Sequence, residues 1–216
     1  MENRLLIIHG LNNKIEALTE LGRSFQNQFE VIYLKLPHHD DLLPLDFDFQ
    51  KSLEQFQKDL TKHLNENTYI LSYSLGCAYL QYLFEKGSLT IPMSRVIYLS
   101  PALKTKLKLS VFRFLPSHFP LPSFSPKQFR YRNFCYWGQY KMLFELSSQL
   151  KLQEYPLIFA DPKDELINLD GLDYIPLKRE YLPFGEHHLS FHPQYYKNNQ
   201  WEKLIEEIKV RLLQEA

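Results

Sequence analysis

The chain has 216 residues, 44% of them hydrophobic and 23% charged, and its basic and acidic side chains cancel to a formal net charge of zero. That length suits one domain with a sizeable core, the composition is ordinary for a globular protein, and the neutral balance removes any global argument for a nucleic-acid partner. The two cysteines, Cys77 and Cys135, have neither metal nor redox spacing, so a reducing compartment without a disulfide framework is expected.

From Met1 to Ile8 there is no long apolar segment and no small-residue cleavage site, and no run of the sequence approaches membrane-spanning length. A cytoplasmic protein without stable membrane insertion is therefore expected. Leu5 to Ile8 is continuously apolar, which suits a strand buried on both faces of a parallel sheet, and His9-Gly10-Leu11-Asn12 follows it. A helix is predicted at about Lys14 to Asn27, with Ile15, Leu18, Leu21, Gly22 and Phe25 on one face. Then come a strand at Val31 to Leu34, a polar loop from Pro37 to about Asp48, and a helix from about Lys51 to Asn65. His38-His39-Asp40-Asp41 carries metal-ligating residue types, but adjacent residues rarely converge on one ion, and no metal site is expected.

The chain is organised around the next stretch. Tyr69, Ile70 and Leu71 form a short apolar strand, Ser72-Tyr73-Ser74-Leu75-Gly76 breaks it, and a helix to about Glu85 follows, with Leu75, Ala78, Tyr79 and Tyr82 three to four apart. A serine at the apex of a sharp strand-to-helix turn is held clear of the sheet, and the first amides of the helix point at the space beside it. Gly76 fits, because a side chain there would crowd the helix against the neighbouring strand. Arg95 to Leu99 is a further buried strand. From Ala102 to Tyr140 the alternation breaks into an insertion rich in proline, aromatic and basic residues, read as a cap without a strand of its own. Regular order returns with a helix at about Gln139 to Leu150, strands at Tyr155 to Phe159 and Leu177 to Leu182, and a closing amphipathic helix from about Gln200 to Leu213. Strands alternating with helices give a mostly parallel α/β sheet of about six strands with helices on both faces, in a single domain over 1–216 with the cap at about 102–140.

A nucleophilic serine needs a base to take its proton and an acid to orient that base. In an open parallel sheet such groups collect beyond the carboxyl ends of strands. Asp161 and Asp164 follow one late strand, and His187 and His188 follow another. Both aspartates also fit as plain turn residues, and both histidines as plain loop residues. His9 fits best as a brace for its loop.

Together these segments resemble the α/β-hydrolases. Ser72 to Gly76 is similar to their G-x-S-x-G nucleophile elbow, with Ser72 where glycine is usual. His9-Gly10-Leu11 resembles the family's HG segment, Pro156 to Phe159 followed by Asp164-Glu165-Leu166-Ile167 resembles its acid loop, and Gly185-Glu186-His187-His188 resembles its G-x-x-H ending. The order serine, aspartate, histidine is also the family's. The resemblance implies Ser74 as nucleophile, His188 as base, Asp164 as orienting acid, and the backbone amides of Leu11 and Leu75 as the oxyanion hole. His187 stands as the alternative base. The family's strands before the HG segment have no counterpart here. No cofactor and no metal is implied.

The cap bears on substrate. Between Glu85 and Glu145 there is no acidic residue, while Lys104, Lys106, Lys108, Arg113, Lys127, Arg130, Arg132 and Lys141 alternate with aromatic side chains. This reads either as a solvated basic face over a hydrophobic cap core or as an apolar acyl pocket with a basic rim. Three functions follow: a carboxylesterase or lipase-like hydrolase of small ester or acyl substrates; a lysophospholipase or acyl-carrier thioesterase meeting an acidic carrier or lipid through the cap; or a non-catalytic protein that keeps the fold. No nucleic-acid partner is expected.

Overall fold

Runs of leucine, isoleucine, valine and tyrosine too short for helices and without polar alternation can bury both faces only inside a parallel sheet. The computed structural model of the protein, which describes residues 3–39, 47–106, 114–123, 134–164, 166–177, 191 and 193–214, shows that sheet. Its strands are β1 (Arg4–Ile8), β2 (Glu30–Leu34), β3 (Thr68–Tyr73), β4 (Val96–Leu99), β7 (Leu157–Ala160) and β8 (Ile175–Pro176). They lie in the order β2-β1-β3-β4-β7-β8, every neighbouring pair parallel. Ile8 is level with Ser72, Tyr73 with Leu99, and Leu99 with Phe159, so the strands reach their carboxyl ends along one common edge.

Alternate residues of each strand feed opposite cores. Leu6, Ile8, Ile70, Val96, Tyr98 and Ile158 meet α2 (Phe49–Thr61), α3 (Leu75–Glu85) and α4 (Trp137–Gln149) on one face. Leu5, Ile7, Tyr69, Leu71, Ile97 and Leu99 meet α1 (Thr19–Arg23) and α5 (Gln200–Gln214) on the other. Burying each such side chain contributes roughly 1.5–3 kcal/mol, so the two cores fix the strand register that levels the carboxyl edge.

Four expectations from the sequence are adjusted. The helix predicted for Lys14 to Asn27 is a 3-10 turn at Ile15–Leu18 followed by the five residues of α1. Its glycine lies against β2, where a Cβ at Gly22 would collide with the Tyr33 hydroxyl and ring, and beyond Arg23 the chain continues in turns, with Ser24 N–H on Leu21 O and Phe25 N–H on Gly22 O. α2 ends at Thr61 instead of Asn65, because Thr68 Oγ1 accepts from the Asn65 amide at 2.8 Å and folds that segment into a turn. The edge strand pairs at Ile175–Pro176, ahead of the predicted Leu177 to Leu182, and residues 178–182 lie outside the described ones. Proline is tolerated there because β8 is at the sheet edge, where a missing N–H breaks no ladder. The cap does contain strands: β5 (Pro120–Pro122) and β6 (Phe134–Tyr136) form a small antiparallel pair, with the buried Leu121 and Cys135 opposite one another. Two prolines flanking one leucine mask the strand pattern in the sequence. No helix among the described residues is long and apolar enough to cross a membrane.

Candidate active site

Ser74 stands between the last residue of β3 and the first of α3 with φ 51° and ψ −115°. A residue with a Cβ adopts such a conformation only at a cost of order 1–3 kcal/mol, and only when its surroundings impose it. Here they do. The Ser74 amide donates to Leu99 O (3.1 Å), and its carbonyl accepts from the amides of Cys77 (3.1 Å) and Ala102 (3.0 Å). Two glycines let the neighbouring backbone close in: a Cβ at Gly10 would lie 2.8 Å from Ser74 Cβ, and a Cβ at Gly76 would lie 2.7 Å from Ile8 Cγ2 and 2.9 Å from His9 O. That virtual Cβ also lies 2.8 Å from Ser72 Oγ, so the two elbow positions share one small space. A serine at 72 fits because residue 76 leaves room for it.

The loop after β1 is built to the same tolerance. Asn13 N–H donates to Gly10 O at 3.3 Å, closing a tight turn around Leu11 and Asn12, and Asn12 has φ 53°, a conformation asparagine accepts more readily than most residues. Leu36 N–H donates to His9 Nε2 at 3.0 Å, so His9 is the neutral tautomer with its proton on Nδ1, and Nδ1 donates to Gly10 O at 2.8 Å. His9 is thus the brace that the sequence suggests. Among the described residues the amide of Leu11 has no hydrogen-bond partner, and that of Leu75, in the first turn of α3, has no intrahelical one. Two uncommitted amides flank Ser74, one on the turn whose Gly10 abuts it and one on the next residue.

The acid loop follows β7, two strands across the sheet from β3. Asp161 and Asp164 are both buried. Asp161 accepts from Lys163 N–H at 2.8 Å and shapes the turn. Asp164 Oδ1 accepts from the amides of Leu166 (2.9 Å) and Ile167 (3.2 Å), which fixes its carboxylate. The first residues of the insertion tie this loop to the elbow: Ala102 N–H reaches Ser74 O, Lys106 N–H reaches Leu166 O, and Lys106 Nζ donates to Asp164 O at 2.7 Å. His187 and His188 lie outside the described residues. The chain beyond them returns at Phe191, which is buried with its ring 6.0 Å from that of Tyr73, the residue before Ser74.

The cysteines are not alternative nucleophiles. Cys77, directly under the elbow, donates its thiol to Ser72 O, and burial pushes its pKa far above the ordinary thiol value. Cys135 is pushed up to about 11 by burial, against the lowering effect of hydrogen bonds with Tyr140 and Ser123. A thiolate is the reactive form, and neither site supplies one near neutral pH. Among the described residues no group of three histidine, cysteine or acidic side chains could hold a metal ion. His39 has both ring nitrogens engaged, Nε2 by Asn12 N–H (2.9 Å) and Nδ1 by Pro37 O (2.9 Å).

Asn12, His39, Lys106 and Phe191 join this site only in the folded chain. Only Asn12 carried a local signal, as an asparagine two residues after a glycine at a strand end. The others act through contacts made far along the chain.

No family model matches the chain, and comparison with curated protein sequences finds no match. Solved structures do resemble it. A soluble variant of monoglyceride lipase from Saccharomyces cerevisiae superposes with a TM-score of 0.63 at 11% identity, covering 100% of this chain and 87% of that one. Monoacylglycerol lipase from Paleococcus ferrophilus gives 0.61 at 12% identity, covering 100% and 97%. Est1E from Butyrivibrio proteoclasticus gives 0.54 at 16% identity, covering 99% and 88%. The chain has the α/β-hydrolase fold of these lipases and this esterase.

Proposed function

We propose that the protein is a serine hydrolase that cleaves carboxylic ester or thioester bonds of small or acyl substrates through an acyl-enzyme. The observation that carries this reading is the backbone of Ser74: a strained serine, locked by three backbone hydrogen bonds, at the head of a helix and against a glycine turn. The combination of φ 51° with ψ −115° is one that glycine adopts far more readily than serine, and it persists here because the surroundings impose it.

In this mechanism Ser74 Oγ attacks the carbonyl carbon while His188 takes its proton, and the carbonyl electron pair moves onto oxygen. The Leu11 and Leu75 amides hold that oxyanion. Losing one such donor typically costs about 3–4 kcal/mol of transition-state stabilisation. Asp164 keeps the imidazole oriented and stabilises its cation. Collapse of the intermediate expels the alcohol or thiol, which leaves with the proton from His188. Water, deprotonated by the same histidine, then releases the acid. Phe191 packs its ring on Tyr73, the residue before Ser74, and His188 precedes it by three residues in the sequence. Asp164 is favoured over Asp161 because two amides hold its carboxylate in place.

A fluorophosphonate probe should label the protein on Ser74, and Ser74→Ala should block labelling while leaving thermal stability nearly unchanged. Labelling that persists in the alanine variant would sink the assignment. Because the base must be neutral, kcat/KM should fall as acid protonates it.

A second reading, hydrolysis of acyl groups on an anionic lipid or acidic carrier, is favoured by the cap. It lies within a span without acidic residues, and Phe114 is 82% exposed. The expected cytoplasmic location remains part of the proposal, in keeping with two unpaired buried cysteines.

A further inference from the structure

We infer that His9 and His39 act as a matched pair of positioning residues that set two successive peptide planes of the oxyanion turn. The inference rests on the hydrolase reading above and names groups that reading does not use. The two rings meet edge to face, with centroids 4.9 Å apart, and both are buried. Each accepts a backbone N–H on Nε2, from Leu36 for His9 and from Asn12 for His39. An amide N–H can only donate, so each ring carries its proton on Nδ1 and gives it to a carbonyl, Gly10 O for His9 and Pro37 O for His39.

The consequence for the turn is geometric. In a trans peptide the C=O and the N–H point in opposite directions. By holding Gly10 O, His9 fixes the plane between residues 10 and 11 and so the direction of the Leu11 N–H. By holding Asn12 N–H, His39 fixes the next plane, between 11 and 12. The Leu11 N–H lies in the first of these two anchored planes and has no hydrogen-bond partner among the described residues. Asn13 N–H, bound to Gly10 O, closes the far side of the turn, and Asn12 Nδ2 donates to Ser123 Oγ of the cap at 2.7 Å.

The platform beneath His39 is itself rigid. His39 N–H donates to Leu36 O (3.3 Å), His38 Nε2 pairs with Ser52 Oγ of α2 (2.6 Å), and Gln139 of α4 donates to His38 O (3.2 Å). The segment that carries the His39 ring is thus held by its own turn and, through His38, by α2 and α4, so it can set the orientation of the turn after β1. The two-histidine run therefore serves orientation, with His39 reaching 27 residues back along the chain to the turn.

The test pairs kinetics with spectroscopy on the full chain. His39→Leu removes the acceptor, whereas His39→Gln places an amide oxygen near the position of Nε2. With a p-nitrophenyl acyl ester, His39→Leu should lower kcat by about 10- to 100-fold, short of the roughly 100- to 1,000-fold loss typical when an oxyanion donor is removed outright. KM should stay within about twofold, because the ground-state carbonyl does not use the oxyanion geometry. His39→Gln should recover most of the loss. Long-range proton–nitrogen NMR on the unmodified protein at neutral pH should show both rings as Nδ1–H tautomers, a readout that needs no activity and no variant. An Nε2–H tautomer at His39, a leucine variant with unaltered kcat, or equal losses in the leucine and glutamine variants would each overturn the inference. If fluorophosphonate labels Ser74 while these results go against the pair, only the pairing fails. If the unmodified protein takes up no fluorophosphonate, the hydrolase reading fails and the inference falls with it.

Discussion

The elbow and the cap are built by opposite means. Every residue of β3 is buried, and Ser74 is fixed by three backbone hydrogen bonds and by two glycines that let its neighbours approach to contact distance. In the cap, each strand of the β5–β6 pair is three residues long, prolines flank the buried Leu121, and Phe114 and Phe119 face solvent. The elbow is over-determined by local sterics, so it can hold a strained serine. Among the described residues the cap is tied across the chain by Asn12 Nδ2 to Ser123 Oγ and by Lys141 Nζ to Leu115 O. In the proposed mechanism the elbow would carry the chemistry and the cap would meet the substrate.

The sharpest way to break that division is to remove chemistry from the elbow. Ser74→Ala should lower kcat by at least about 10,000-fold, as losing a triad nucleophile does, with stability almost unchanged. Asp164→Ala should cost several orders of magnitude and Asp161→Ala far less, with the same contrast between His188→Ala and His187→Ala. Steady-state kinetics on the five proteins decides both registers.

The next effect tests the packing. Gly76→Ala places a methyl group 2.9 Å from a backbone oxygen that cannot swing away, His9 O. It should destabilise the protein by about 1–3 kcal/mol in denaturant melts, and lower kcat with it, because α3 must shift from β1.

A smaller effect probes the cap. Attraction between basic side chains and an anionic substrate is screened over about 8 Å at physiological salt. Hydrolysis of an anionic acyl substrate should lose kcat/KM as salt rises, while a neutral ester of equal chain length should barely change. Arg130→Glu with Arg132→Glu, two positions outside the described residues, should remove the difference and leave neutral-ester turnover intact. Equal salt profiles in the unmodified protein would reduce the cap charge to a solvated surface.

The smallest effect compares a thiol from each region. Burial raises Cys77 further than Cys135, whose pKa is pushed up to about 11. As pH rises, the unfolded chain ionises these thiols near their ordinary value of about 8.5 while the folded chain still holds them neutral. Their contribution to stability is therefore complete below that value and is lost above it. Alkylation at increasing pH should reach Cys135 in the cap before Cys77 under the elbow.

The elbow was legible in the sequence because its causes are local. An apolar strand, a serine and Gly76 within a few residues specify the turn, and continuous runs such as Leu5 to Ile8 specify the buried parallel strands. What the sequence hid depends on distant partners. Periodicity extends the helix after Lys14, but Tyr33 on the next strand determines how Gly22 packs. Pro120 and Pro122 conceal β5 until Cys135 pairs opposite Leu121. His39 resembles a metal ligand until its Nε2 is found on Asn12, 27 residues away.

A serine hydrolase of this kind must pass through a covalent acyl-enzyme on Ser74, and that species can be captured. The protein would be mixed with a p-nitrophenyl ester, quenched in acid within the burst phase, digested, and mapped by mass spectrometry. The acyl mass should appear on the peptide containing Ser74, at that residue, and be absent in Ser74→Ala. An acyl group on Ser72, or turnover without any acyl-protein, would contradict the mechanism.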